Sequence, residues 1–199
     1  MAEKKLVIVP SMEHKAAPIP FAVVSGDGVP NHDEDGFIYL ATVGLSKKQA
    51  KELRAEVLEF WEDHKPKAAK EKPANWDGIT YETDDGDIQA TFRTQVSFGE
   101  KKNKISIVDG QQNKLDPDVF GSIGTGSTGR IVVGLKMYKS KNKYGVSLFL
   151  EAIRLVTFSA YVGTDATAAF GDEDEGDALS DTPSKAEKKA KKKKKKSKK

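Results

Sequence analysis

The side chains with chemical potential are three isolated histidines, two acidic turns, a glycine-rich hexapeptide and a set of aromatic and basic residues on alternating segments. His14, His32 and His64 each stand alone, at no spacing that a metal site uses. No Ser or Asp neighbourhood resembles a nucleophile elbow. The stretch NHDEDG, residues 31–36, opens like a calcium loop, with Asn31, Asp33 and Asp35 at alternate positions and Gly36 at the sixth. Its twelfth position is Thr42 where a bidentate Glu is needed, and no helix leads into it, so it reads as a solvated acidic turn. TDDGD (83–87) reads the same way, Asp85-Gly86 being a good turn dipeptide. GTGSTG (124–129) matches G-x-G-x-x-G, but a dinucleotide fingerprint opens a helix, and here IVVGL follows. It is expected to be a flexible glycine-serine connection. No catalytic, metal or cofactor site is expected, and the chain reads as a non-enzyme.

What remains is aromatic and basic. Single-stranded nucleic acid is held by grooves that pair backbone phosphates with Lys or Arg and stack bases on exposed rings, at roughly 1–3 kcal/mol per base. Tyr138 is the best stacking candidate: its strand parity opposes Ile131, Val133 and Leu135, and Lys136 and Lys139 flank it. Arg93 likewise faces away from Phe92. Two hairpin tips are rich in lysine, one with Lys101, Lys102 and Lys104, the other with Lys139, Lys141 and Lys143. The pattern alone is equally consistent with the solvated face of an ordinary sheet.

These residues need a scaffold. GFIYLATVGL (36–45) has the β-branched and aromatic richness of a strand. Ser46 and Gln49 then form a capping-box signature. Ala50, Leu53, Val57, Phe60, Trp61 and His64 recur at helical spacing until Pro66, which predicts one amphipathic helix. KPKAAKEKP (65–73) is a loop. From there only strands are expected. Ala90, Phe92, Thr94, Val96 and Phe98 should face the core, GEKKNK (99–104) should be a hairpin tip, and Ile105 and Ile107 should begin the return strand. A second hairpin pairs 130–138 with 146–158 across the tip KSKNKYG. With an extended segment around LVIV, five or six strands and one helix suggest a small Greek-key barrel.

Composition bounds the rest. The chain has 199 residues and no cysteine, which excludes disulfides, thiolate metal sites and a cysteine nucleophile. The apolar run Leu6 to Val9, stopped by Pro10, is too short for a signal core, and no stretch is long enough for a bilayer, so a soluble intracellular protein is expected. Charge is uneven: residues 1–170 hold 22 basic and 23 acidic residues, a net of −1, whereas 171–199 hold 11 Lys and 7 acidic residues, a net of +4. That end has an acidic block, GDEDEGD (171–177), and a lysine run, KAEKKAKKKKKKSKK (185–199). Neither block has an aliphatic side chain larger than Ala, so a disordered interaction tail is expected from 171 to 199, after a folded domain of residues 1–170.

Over roughly residues 1–178 the sequence resembles the single-stranded DNA-binding protein of T-seven-like podoviruses. The resemblance is densest in DDGDIQATFRTQVSF with its EKKNK tip, in the glycine connection leading to a basic residue and a strand, in MYKSKNKYGVSLFLEAIRLV and in FGDEDEGD. It implies an OB-fold, a five-stranded Greek-key barrel, with an inserted helix. It also implies sequence-independent coating of single-stranded DNA in phage replication and recombination, promotion of strand annealing, and a homodimer in the cytoplasm of the infected bacterial host. By position, Tyr138 matches the family's stacking tyrosine, with Lys139 beside it. Arg93 and Arg130 match basic groove residues, and Lys4 and Lys5 match a basic N-terminus. The family's acidic tail docks on the phage DNA polymerase and helicase-primase and competes with DNA for the groove. Phe170, Asp172, Glu173, Asp174, Glu175 and Asp177 are the corresponding partner-binding residues here. The chain departs from the pattern at Asp35, Gln95 and Ser140, where the family has further groove aromatics or bases, and in ending on Lys191 to Lys199 where the family ends on an acidic segment with an aromatic residue. An alternative stays open: an OB-like protein-interaction module whose lysine tail alone touches nucleic acid.

Overall fold

The structure is a computed structural model that describes residues 4–31, 36–67, 69–141 and 143–161. All of these lie in one unit, Met1–Val162. His32, Asp33, Asp35 and the tail residues Phe170, Asp172, Glu173, Asp174, Glu175 and Asp177 fall outside the described residues, as does the lysine run.

The protein is mainly β. β1 (Lys5–Val9) turns Val7 and Val9 inward. β2 (Ala17–Ile19) and β3 (Phe21–Val23) are two halves of one extended segment interrupted at Pro20. β4 (Val29–Pro30) is a short rung on β5 (Phe37–Leu45), the strand expected between Gly36 and Gly44. α1 (Lys47–His64) follows. Its capping box forms as the sequence predicts, with Ser46 Oγ accepting from Gln49 N at 3.3 Å and Gln49 Oε1 accepting from Ser46 N at 2.8 Å. The inward stripe is Ala50, Leu53, Val57, Phe60 and Trp61. It touches β1 and β5 together with three later strands, so α1 covers one end of the sheet's interior.

β6 (Tyr81–Glu82) pairs with β7 (Ile88–Gln95) across the TDDGD turn, where Gly86 takes a φ of 83°. β8 (Ser97–Phe98) and β9 (Lys101–Lys102) form a separate two-stranded hairpin, and β10 (Ser106–Val108) comes after it. α2 (Pro117–Phe120) is one turn long, and β11 (Ser122–Ile123) pairs with β3. The long strands β12 (Ser127–Ser140) and β13 (Lys143–Thr157) complete the sheet as an antiparallel hairpin.

The pairings run β3 to β5 to β7 to β13 to β12 to β2. Because β2 and β3 belong to one segment, the sequence of pairings returns to where it began. Pro20, with no N–H to donate, sits where that segment leaves β12 for β5. The β7–β13 step is parallel and the others are antiparallel. Ile19, Ala41, Val43, Phe92, Ile131, Val133, Leu135 and Leu150 fill the interior.

Four sequence expectations are corrected. Phe98 does not face the core: it is 79% exposed. β7 ends at Gln95, opposite Ile38 near the start of β5, and Val96 takes the last buried place after a bend, so nothing beyond it can cover Phe98. Ile105 and Ile107 do not return along β7. β10 instead runs parallel to β13, Ser106 opposite Ala152, on the edge that β7 occupies further back, which makes β8–β9 an excursion between two stretches of the same edge. GTGSTG is not a loose connection throughout: Ser127 and Gly129 belong to β12, and a Cβ on Gly129 would meet Arg154 O at 2.4 Å. The tip KSKNKYG is tighter than its composition suggests, because Lys139, Ser140, Lys143 and Tyr144 are strand residues and Lys141, at φ 53°, begins the turn.

Candidate nucleic-acid interface

Strand register decides which side chains share a face. Arg93 lies opposite Leu40 on β5 and opposite Phe149 on β13; Phe149 lies opposite Gly134 on β12. Two residues along, Lys136 faces Ser147, and two further, Tyr138 faces Gly145. Residues two apart on a strand point the same way. Leu40, Arg93, Phe149, Lys136 and Tyr138 therefore stand on one face, opposite the one occupied by the buried Phe92, Leu135 and Val146. From Phe149 to Gly145 is about 13 Å at roughly 3.3 Å per residue, and Arg93 and Tyr138 flank β13 on either side, about 10 Å apart across the sheet.

Tyr138 is held by its neighbour. A Cβ on Gly145 would fall 2.5 Å from the Tyr138 ring, so the ring lies flat over a residue without a side chain. One ring face is seated on the sheet, and the half-buried ring keeps area for a base on the other. Arg93, Lys136 and Lys143 are exposed, and Lys136 and Lys143 make no ion pair among the described residues. Lys4 reaches over Gly134 and pairs with Glu151 Oε1 at 2.6 Å, which places it beside Phe149 with its charge shared.

The two lysine-rich tips end up at opposite ends of this face. Lys139, Lys141 and Lys143 sit beyond Tyr138 at the β12–β13 turn. Lys101 and Lys102 sit on β9, with Lys104 just after it, in the excursion that leaves the edge of β13 past Arg93. Lys139 Nζ stands 5.4 Å from the centroid of the Tyr144 ring, its partner across the hairpin.

Two expected groove residues are elsewhere. Lys5 Nζ is bound to Glu59 Oε2 at 2.6 Å and Glu56 Oε2 at 2.8 Å, so it clamps β1 to α1. Those carboxylates, Glu56 first, hold its pKa above the ordinary lysine value. Arg130 is eight residues from Tyr138 along β12, about 27 Å. Its Nη2 donates to His14 O, and its Nε is buried with no hydrogen-bond partner among the described residues. Arg130 ties β12 to the segment after β1.

Sequence reasoning missed three aromatic side chains. Phe149 was legible, because it shares parity with Ser147 and Gly145 and so stands on the polar side of its strand. Phe98 and Phe37, the latter 52% exposed where Val96 N donates to its carbonyl, carry no such signal.

The mainly β fold is similar to that of two phage single-stranded DNA-binding proteins of known structure. The structure of gp2.5, a single-stranded DNA-binding protein encoded by bacteriophage T7, matches with a TM-score of 0.55 and 20% sequence identity, over 89% of this chain and the whole of that one. The single-stranded DNA-binding protein from bacteriophage Enc34 matches with a TM-score of 0.52 and 13% identity, over 82% of this chain and 99% of that one. No family model matches the sequence, and no curated protein matches it.

Proposed function

We propose that this protein binds single-stranded DNA without sequence preference, on the face that carries Arg93, Phe149, Lys136 and Tyr138. The observation that carries the reading is the register that puts a seated tyrosine, a phenylalanine and cations on one strip between two lysine-rich ends. We read the ring of pairings as an OB barrel with α1 inserted between its second and third strands. Such barrels bind oligonucleotides on the face of strands two and three and at the loop between four and five, which here correspond to the positions of Arg93 and of Tyr138 beside the β12–β13 turn. The likeness of fold to two phage proteins that bind single-stranded DNA supports the same reading. The proposal extends to coating of single strands during phage replication and recombination in the infected host cell, to annealing, to dimerisation, and to contacts of the acidic block with the phage DNA polymerase and helicase-primase.

Anisotropy titration of the full chain against a labelled single-stranded oligonucleotide and its duplex, at several salt concentrations, tests the core of it. A clear preference for the single strand is expected, with a log-log salt slope of about −0.7 per phosphate contacted. Equal affinity for the duplex would sink the reading and assign nucleic-acid contact to the lysine run.

A further inference from the structure

Consecutive residue pairs in a hairpin point to opposite faces. Tyr138–Gly145 stands on the strip described above, so the next pair, Lys139–Tyr144, faces the other side of the same hairpin. There the loop after α1 is strapped to the start of β13: Ala74 N donates to Tyr144 O at 2.9 Å, Asn75 Nδ2 donates to Val146 O at 2.7 Å, and Val146 N donates to Asn75 Oδ1 at 3.2 Å. Between loop and hairpin lies a cavity of about 260 Å³, lined by Trp61, Lys70, Lys72, Lys143 and Tyr144 among others. Lys70, Lys72 and Lys143 are exposed at its rim, Lys139 Nζ stands over the Tyr144 ring, and Tyr144 itself is half-buried. Among the described residues no carboxylate lines it. A half-buried tyrosine ring bordered by exposed lysines fits a stacked base with its phosphates.

We infer that this cavity is a second nucleotide subsite, entered by a single strand that leaves Tyr138 and folds around the β12–β13 hairpin to the Tyr144 side. The inference rests on the single-strand reading above and adds a path to it. Trp61 lines the cavity, and Trp76 has Lys72 Nζ 5.4 Å from its ring centroid. Trp61 is the tryptophan of the cavity, whereas Trp76 lines a separate pocket with Arg54, Thr80 and Tyr81, so an emission change is assigned to the cavity when it persists in Trp76→Phe.

The test follows tryptophan emission and anisotropy together while the full chain is titrated with labelled homothymidine oligonucleotides of increasing length. Short oligonucleotides are expected to bind without changing emission, and longer ones to change it. Lys70→Glu with Lys72→Glu should abolish that change and reduce the salt slope for long oligonucleotides by about 1.4, two phosphates at about 0.7 each. Short-oligonucleotide affinity should stay as it was, and Lys70→Arg with Lys72→Arg should keep the parental slope. If the parent binds long single strands with constant emission, or the Glu pair keeps slope and emission, the subsite is overturned while single-strand binding stands. If the parent shows no preference for single strands at all, both readings fall.

Discussion

Gly145 determines what Tyr138 can do. In a strand interior glycine is a poor choice by propensity, and valine would be a better one, so its presence there calls for a steric reason. That reason is the ring above it, which a Cβ would strike at 2.5 Å. Gly145→Val is therefore expected to leave the hairpin at least as stable while lifting the tyrosine off its seat. Affinity for single strands should fall as it does in Tyr138→Ala, by about 5- to 150-fold if one stacked base worth roughly 1–3 kcal/mol is lost. Tyr138→Phe should keep most of it. Unchanged affinity in both Gly145→Val and Tyr138→Ala would remove Tyr138 from the site. Phe98 offers the opposite case: at 79% exposure its truncation should move stability by no more than about 0.5 kcal/mol, measured by urea unfolding, so any loss of affinity in Phe98→Ala reports on DNA alone. Tyr138, Lys136 and Arg93 were legible because alternation assigns a face to each. Phe98 was not, because alternation assumes that the strand continues, and the chain bends at Val96 where β5 has no more residues to offer β7.

Elements show the same division. The helix was readable to within a residue because its signals are local: the Ser46–Gln49 box, the stripe from Ala50 to Trp61 and the stop at Pro66. Ser46→Ala should cost about 0.5–2 kcal/mol in urea unfolding without altering DNA affinity, since the cap lies away from the binding strip. The segment that closes the ring was not readable, because β2 and β3 are three residues each and carry or adjoin prolines that argue against strands in isolation. Its role comes from β12 and β5, more than a dozen residues away in sequence. β1 was expected only as an extended segment, and Lys5 ties it to α1. Since the folded state holds the Lys5 pKa above the ordinary value, the clamp's contribution is fully present below that ordinary value and is lost as pH rises through the folded one. For a pair this exposed, solvent screening limits it to under about 1 kcal/mol. Lys5→Met should lower the urea midpoint slightly at neutral pH, and the gap from the parent should close in strongly alkaline buffer.

Charge on the described residues is unevenly arranged. α1 mixes signs, with Lys47, Lys48, Lys51 and Arg54 beside Glu52, Glu56, Glu59, Glu62 and Asp63, while the strip and its two ends carry Arg93, Lys101, Lys102, Lys136 and Lys143. A flexible polyanion is drawn along the strip, a preference that weakens as salt screens it. The ends of the strip are far apart: from Lys143 to Ala152, where the β8–β9 excursion rejoins the edge of β13, is nine residues, about 30 Å. At that separation the contributions of the two ends should add without coupling. Lys101→Ala with Lys102→Ala should lower the magnitude of the log-log salt slope by about 1.4, Lys136→Ala with Lys143→Ala by the same, and all four together by about 2.8. Oligonucleotides too short to span the strip should reach only one end at a time, so with them neither pair alone should register its full loss. Arg130→Met serves as the internal control: a side chain that ties β12 to the His14 carbonyl should lower stability on removal and leave the slope untouched. If Arg130→Met flattens the slope while the lysine pairs do not, the DNA path crosses the opposite end of β12 and the strip is misplaced.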